Sequence, residues 1–155
     1  MSASAICVDA SFVLRMFLGP DDVEAWALWD GWHAEGKSVH APHLLAYEVT
    51  NAIYRYHRAG HLSLVTASLA VDAALGLPLT RESPAALHSA ALRLAADLDL
   101  GATYGAHYLA LAHLLDAELW TADARLVRQV GERGPVIRVL GRGDSGGPPA
   151  DDSHT

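Results

Sequence analysis

The 155-residue chain has little cysteine, little basic charge and no long apolar run. Cys7 is its only cysteine, which excludes an internal disulfide and a cysteine-based zinc site and favours a reducing cytoplasm. No uninterrupted apolar stretch approaches the ~20 residues that a membrane-spanning helix needs, so we expect no membrane span. The first apolar run has no basic residues ahead of it, and we therefore expect no secretory signal.

Basic residues are outnumbered by acids. The chain has 11 Lys and Arg against 18 Asp and Glu, and its formal net charge is −7. This balance argues against broad electrostatic attraction to nucleic acid, but not against a nuclease whose metal site is itself a cluster of acids. A phosphatase or other nucleotide-handling enzyme is less favoured, because the chain has no Gly-rich phosphate loop and Asp9-Ala10-Ser11 lacks the second aspartate of a phosphoaspartate motif.

Short apolar segments alternate with helical patterns along the chain. Strands are predicted at AICVD, SVHAP, LPLT, ELWTAD and PVIRVL. Helices are predicted at 20–36, 44–60, 63–75, 84–98, 104–116 and 124–134, with Ser83 and Thr103 as caps of the fourth and fifth. This alternation predicts an α/β fold with three α/β/α layers and a mostly parallel central sheet. One domain spans residues 1–140, and a flexible Gly/Asp-rich tail occupies 141–155.

Three tryptophans recur at three-residue steps in the first predicted helix. Trp26, Trp29 and Trp32 are interpreted as a packed aromatic ridge, with nucleotide stacking as the minor alternative.

Three carboxylates fall where the chain leaves a strand or starts the next helix. Asp9 ends the first strand, Glu48 lies early in the helix after the second, and Asp123 follows ELWT. In open α/β sheets functional groups collect at the carboxyl ends of the strands, so we expect these acids to converge. Such a set suits a hard divalent ion and metal-assisted phosphodiester hydrolysis. Taken singly, Asp9 and Asp123 could instead cap a turn or helix, and Glu48 could be an ordinary surface residue.

Four segments make the sequence recognisable. VDASFVLRMF, HLLAYEVTNAIYR, YGAHYLALAHLLDAELWTAD and RLVRQVG, in this order, resemble the PIN domain, and specifically the VapC-type toxin ribonucleases of bacterial toxin–antitoxin pairs. The resemblance covers about residues 4 to 140. It implies a PIN-like fold, a Mg²⁺-dependent or Mn²⁺-dependent endoribonuclease acting on RNA in the cytoplasm, a homodimer, and a cognate VapB-type antitoxin.

The resemblance also implies roles for particular residues. Asp9, Glu48 and Asp123 match three of the family's four metal-binding and catalytic acids. Ser11 and Thr121 match polar positions that could orient a carboxylate or a metal-bound water. A turn or cap hydrogen bond is the alternative for both hydroxyls. Partner contacts could also come from Leu45, Tyr47 and Tyr54 in the early helices, with core packing as the alternative.

Gly105 departs from the family pattern. The related sequences read YDA where this chain reads YGA, so a glycine replaces the expected fourth aspartate. His107 is two residues further on, about 200° around a helix, and should point elsewhere. We expect weak metal binding and slow or absent cleavage, because the site has one anionic ligand fewer. The alternative is a catalytically inactive PIN-fold protein that binds antitoxin or RNA.

Overall fold

Five short strands form one sheet at the centre of the molecule. A computed structural model describes residues 4–19 and 23–141. The strands are β1 (Ala5–Val8), β2 (Ser38–Ala41), β3 (Thr80–Arg81), β4 (Glu118–Thr121) and β5 (Ile137–Val139). Their order is β3-β2-β1-β4-β5, and every neighbouring pair is parallel. The prediction of a mostly parallel sheet is confirmed, and within the described ranges the sheet is parallel throughout.

Seven helices in the described ranges connect and cover these strands. They are α1 (Ala10–Leu18), α2 (Val23–Ala34), α3 (Leu44–Arg58), α4 (Leu64–Leu75), α5 (Leu87–Asp97), α6 (Tyr104–Leu114) and α7 (Ala124–Val130). Because the central strands are covered by helices, their side chains are buried: Cys7, Val8 and Leu119 are almost inaccessible to solvent. The three-layer α/β/α architecture is therefore as predicted. No helix of the described residues has the length and apolar character needed to cross a bilayer.

Burial also determines the state of the single thiol. Loss of solvent around Cys7, with a smaller contribution from the negative charge of Glu82, raises its pKa to about 12. Cys7 therefore stays a protonated, unreactive thiol inside the sheet.

Helix α1 was not predicted from the sequence. It starts directly after β1, with no turn residue between them, because Asp9 ends the strand and caps the helix. The Asp9 carboxylate accepts a hydrogen bond from the backbone N–H of Phe12 at 3.0 Å. The apolar residues Phe12, Val13 and Met16 then face the core, where all three are buried.

Of the two predicted helix caps, the one at Ser83 is wrong and the one at Thr103 is confirmed in position. Helix α5 begins at Leu87 rather than at Pro84, and the Ser83 hydroxyl lies 2.9 Å from Nδ1 of His43 instead of capping that helix. Thr103 does occupy the N-cap position of α6, but its side chain makes no capping hydrogen bond. At Ser83, a contact with a residue distant in the sequence, rather than local preference, decides where the hydroxyl lies.

Two of the three tryptophans of the predicted ridge pack inside the molecule. Trp29 and Trp32 are buried, and Trp32 stacks on Phe12 with ring centroids 5.3 Å apart. Trp26 lies at the edge, where its indole N–H donates to the carbonyl of Met16 at 2.9 Å. Core packing is therefore the role of Trp29 and Trp32, whereas Trp26 is exposed. The predicted helix start at 20–22 and most of the predicted tail, 142–155, lie outside the described residues.

Candidate functional site

Asp9 is a buried carboxylate at the carboxyl end of β1, with only 7% of its surface exposed. One carboxylate oxygen, Oδ1, accepts from the Ser11 hydroxyl at 2.7 Å and from the Phe12 N–H. The other, Oδ2, accepts from the Thr121 hydroxyl at 2.5 Å. Both carboxylate oxygens are therefore fixed in direction by short hydrogen bonds from residues of two different elements.

The two hydroxyls join the ends of neighbouring strands. Ser11 and Thr121 lie 3.0 Å apart, one just after β1 and the other at the end of β4. The Ala122 N–H donates to Ser11 Oγ at 2.9 Å, and the Asp123 N–H donates to Thr121 Oγ1 at 3.0 Å. Both predicted hydroxyl positions thus contact Asp9 directly and also accept from the turn after β4. Each hydroxyl orients a carboxylate and closes a turn at once.

The ionisation of Asp9 is set by opposing influences. Burial is the largest and raises the pKa above its ordinary value of 3.8, because the charged form loses its solvation. The hydrogen bonds from Thr121, Ser11 and Phe12 act in the opposite direction, and the negative charge of Asp123 raises the pKa further. The pKa of Asp9 is raised because the loss of solvation outweighs the hydrogen bonds, and a cation nearby would favour the charged form.

Tyr108 connects Glu48 to the same place. Its hydroxyl donates to Oε1 of Glu48 at 2.5 Å and is also hydrogen-bonded to the backbone of Ala10, the first residue of α1. Burial, the Glu48 hydrogen bond, and the charges of Glu48 and Asp9 all raise the pKa of Tyr108, so the phenol stays protonated and donates. Glu48, Tyr108 and the start of α1 therefore form one partly buried polar contact.

Sequence reasoning missed Tyr108. The available signal was its spacing: Tyr108 lies three residues after Gly105, and residues at i and i+3 share a face of a helix. The phenol of Tyr108 therefore lies about one turn after position 105, on the face of α6 where the aspartate was expected. The helix also turns His107 away as expected, since its ring pairs with His88 on α5.

Asp123 caps helix α7 at the edge of this group. Its Oδ1 accepts from the Arg125 N–H at 3.0 Å, and Nε of Arg125 lies 3.4 Å from the same oxygen. The Asp123 side chain is 39% exposed and that of Arg125 is 79% exposed. The alternative of a helix cap is therefore confirmed for Asp123, and its role in a site stays a prediction.

Gly105 has no structural requirement to be glycine. It is the second residue of α6, half-buried and helical, and a Cβ added there would meet only Cδ1 of Leu126, at an ordinary contact distance of 3.5 Å. The helix and its surroundings therefore have room for a side chain at this position.

Asp9, Glu48 and Asp123 are connected through other residues rather than directly to one another. Within the part of the chain that the structure describes, no three or more His, Cys, Asp or Glu side chains are grouped so that they could hold a metal ion. Asp9, Glu48 and Asp123 are linked only through intermediate groups: Thr121 between Asp9 and Asp123, and Tyr108 with the Ala10 backbone between Glu48 and Asp9.

The comparisons with known proteins bear on the fold. No protein-family model matches the chain, and no curated protein matches it. Four chains among the solved structures do match. One of them is the crystal structure of PAE2754 from Pyrobaculum aerophilum, with 26% sequence identity and a TM-score of 0.61, over 87% of this chain and 83% of that one. The two chains share a fold.

One predicted contact residue belongs to the core instead. Leu45 is 1% exposed and lies on the buried face of α3 with Val49 and Ile53. It therefore cannot contact a partner as the sequence suggested. Tyr47 and Tyr54 on the opposite face are 75% and 53% exposed. They line a shallow groove of about 510 Å³ together with Ala46, Thr50 and Asn51.

Proposed function

We propose that this chain is a VapC-type toxin of the PIN-domain family whose metal site is incomplete at Gly105. The observation that carries the proposal is the coupling of Asp9 and Asp123 at the carboxyl ends of β1 and β4. Glu48 is joined to the same place through Tyr108, on the helix that carries Gly105. The parallel three-layer fold supports it, since in such sheets ligands bind outside the carboxyl ends of the strands.

Each residue of the site has a defined task in this proposal. Ser11 and Thr121 hold the Asp9 carboxylate in one orientation, and Tyr108 holds Glu48. Asp123 contributes negative charge close enough to raise the pKa of Asp9. In related enzymes a divalent ion bound to such acids activates water and offsets charge on a phosphodiester.

The absent aspartate has two opposing consequences for that ion. Repulsion among the remaining carboxylates is lower than with a fourth acid, so the metal-free protein is less strained. One anionic ligand is also missing, so divalent ions are held more weakly. Both effects favour the ion-free state. The proposed activity is therefore an endoribonuclease activity toward RNA that is slow or absent in this chain and that an aspartate at 105 would raise.

Cleavage of a structured RNA pool with added Mn²⁺ tests this proposal. We expect little cleavage by the parent chain, clear cleavage by Gly105→Asp, and none by Gly105→Asp combined with Asp9→Asn. Equal cleavage by the parent and Gly105→Asp would show that three acids suffice and would overturn the incomplete-site proposal. Hydrolysis of p-nitrophenyl phosphate by the parent chain would instead favour a phosphatase.

The second candidate is a binding protein of the same fold without turnover. The exposed groove along α3 favours it, because Tyr47 and Tyr54 offer aromatic surface next to Glu48 on the same helix. Its partners would be a VapB-type antitoxin or RNA, with the chain acting as a homodimer. Absence of cleavage by Gly105→Asp, together with binding of a VapB-type antitoxin that is lost in Tyr47→Ala, would favour this candidate.

The proposed cellular setting is the cytoplasm. It is supported by the single cysteine, which is buried and unpaired in β1, since a disulfide-bonded scaffold is thereby absent from this chain.

A further inference from the structure

Two histidines on neighbouring helices face each other, apart from the hydrogen-bonded acids. His88 lies in α5 and His107 in α6, and Nδ1 of His88 is 3.0 Å from Nε2 of His107. Their ring centroids are 5.1 Å apart and their planes are inclined by 64°, so the rings meet edge to face rather than stacking. His88 is exposed and His107 is half-buried, which leaves the space between the nitrogens open to solvent on one side.

The orientation and tautomer of His107 are fixed by the backbone. Its Nδ1 lies 2.7 Å from the carbonyl oxygen of Thr103, an atom that can only accept, so Nδ1 carries the proton. Nε2 of neutral His107 therefore presents its lone pair toward His88. A backbone carbonyl that accepts from the second ring nitrogen is the arrangement that orients metal-ligating histidines.

The distance between the two facing nitrogens suits two ligands of one ion. Zinc–imidazole bonds are about 2.0–2.1 Å long, so two nitrogens 3.0 Å apart would subtend an angle of about 90–95° at the ion. That angle corresponds to adjacent positions in square-planar or octahedral coordination, and a tetrahedral angle needs the nitrogens only about 0.3 Å further apart. In the ion-free protein the proton on His88 Nδ1 bridges the pair. Binding requires that this proton move to Nε2 of His88 and that the two rings turn so that both lone pairs point at the ion.

The surrounding side chains determine which ions this pair would accept. The residues one turn from His88 are Pro84 and Leu92, and those one turn from His107 are Thr103 and Leu111, none of them a carboxylate. Imidazole without carboxylate favours Zn²⁺, Ni²⁺ and Cu²⁺ over Mg²⁺. Since the described residues contain no group of three ligating side chains, water would complete the coordination.

We propose that His88 and His107 form a surface site for one borderline divalent transition-metal ion. The site is independent of the ribonuclease proposal, since neither histidine takes part in it. An ion bound there ties the first turns of α6 to α5, and α6 is the helix that carries Gly105 and Tyr108.

Titration calorimetry of the full chain with Ni²⁺, after removal of metal by EDTA and dialysis, tests this site. The variants are His88→Ala and His107→Ala, and the matched control is His113→Ala, which removes an exposed histidine from the same helix. Removing a residue that only hydrogen-bonds to a metal ligand typically weakens metal binding about 10–100-fold. Loss of either histidine ligand should therefore weaken Ni²⁺ binding by about tenfold or more. The control should keep the parental affinity.

Thermal unfolding with and without Ni²⁺ provides the second readout. Binding to the folded state raises the Tm of the parent and of His113→Ala, and the rise disappears in His88→Ala and His107→Ala. Unfolding without metal reports whether each variant is folded. Parental Ni²⁺ affinity in either His88→Ala or His107→Ala, or no Ni²⁺ binding by the parent chain, would overturn the proposal.

Discussion

The hydroxyl of Tyr108 donates a 2.5 Å hydrogen bond to the Glu48 carboxylate and is hydrogen-bonded to the backbone of Ala10. It thereby joins three elements, α6, α3 and α1, at the carboxyl end of the central strand. This partly buried contact makes Tyr108 the residue that positions Glu48 relative to Asp9. In a chain with glycine at 105, it is also the polar group that α6 brings to the acids.

Removal of that hydroxyl should destabilise the fold. Tyr108→Phe leaves Glu48 without its donor and removes the Ala10 contact, and hydrogen bonds to charged groups contribute about 1.5–3 kcal/mol. We expect a loss of this size in the free energy of unfolding, measured by urea denaturation at pH 7. Tyr104→Phe, at an exposed tyrosine of the same helix, should change it little. Equal stability of Tyr108→Phe and the parent would show that the contact contributes nothing.

The raised pKa of Asp9 predicts a pH-dependent stability. The folded state binds this proton more tightly than the unfolded state, so stability falls as pH rises from 3.8 through the raised pKa. Asp9→Asn cannot ionise and should therefore be more stable than the parent at pH 7, by about 1.4 kcal/mol for each unit by which the pKa is raised. The advantage should shrink on acidification toward pH 3.8.

Urea unfolding in metal-free buffer between pH 4 and pH 8 measures this difference. Asp72→Asn, at an exposed aspartate of α4, serves as the control and should show no comparable trend. If the extra stability of Asp9→Asn over the parent were constant with pH, or grew on acidification, a raised pKa of Asp9 would be contradicted.

The space around Gly105 predicts that adding a side chain there will increase the free energy of unfolding. Gly105→Ala adds a methyl group at ordinary contact distance from Leu126, and alanine is favoured over glycine in a helix by about 0.5–1 kcal/mol. Thermal or urea unfolding should show this gain, as it should for Gly31→Ala in α2, where a Cβ meets nothing within 4 Å. If Gly105→Ala were less stable than the parent while Gly31→Ala were more stable, the fold itself would require glycine at 105.

The two faces of α3 should respond differently to truncation. Leu45→Ala empties a fully buried position and should lower the free energy of unfolding by about 2–5 kcal/mol. Tyr47→Ala changes an exposed position and should alter it by only about 0.5 kcal/mol or less. Denaturant unfolding of both variants distinguishes them, and a large loss from Tyr47→Ala would show that its ring has a structural role.

Much of the fold follows from local sequence. Four of the five strands lie within predicted short runs that contain apolar residues, and alternation with helices predicts the parallel sheet. The exception is β3, which consists of the exposed polar residues Thr80 and Arg81 and overlaps the predicted strand LPLT only at Thr80. Helix α1 escaped prediction because Asp9 serves as both strand end and helix cap, leaving no separate signal. The cap expected at Ser83 failed because its hydroxyl lies beside His43, forty residues away in the sequence, which no local pattern reveals.

The candidate site was predictable in part for the same reason. The ends of parallel strands meet at one edge, and this placed Asp9 and Asp123 near each other without knowledge of distances. Tyr108 was not predicted because a tyrosine in an apolar helix normally packs in the core; only the folded structure shows its hydroxyl on Glu48. Strand register also decides that Asp9 contacts Thr121 directly, and not Asp123.

The Mn²⁺ affinity of Gly105→Asp, measured by electron paramagnetic resonance, tests the incomplete-site account most directly. Gly105→Asn is the control, since it adds a side chain of the same shape without the charge. The account predicts that Gly105→Asp binds Mn²⁺ about tenfold or more tightly than Gly105→Asn and the parent, and that adding Asp9→Asn removes the gain. Equal Mn²⁺ affinity of Gly105→Asp and Gly105→Asn would contradict it.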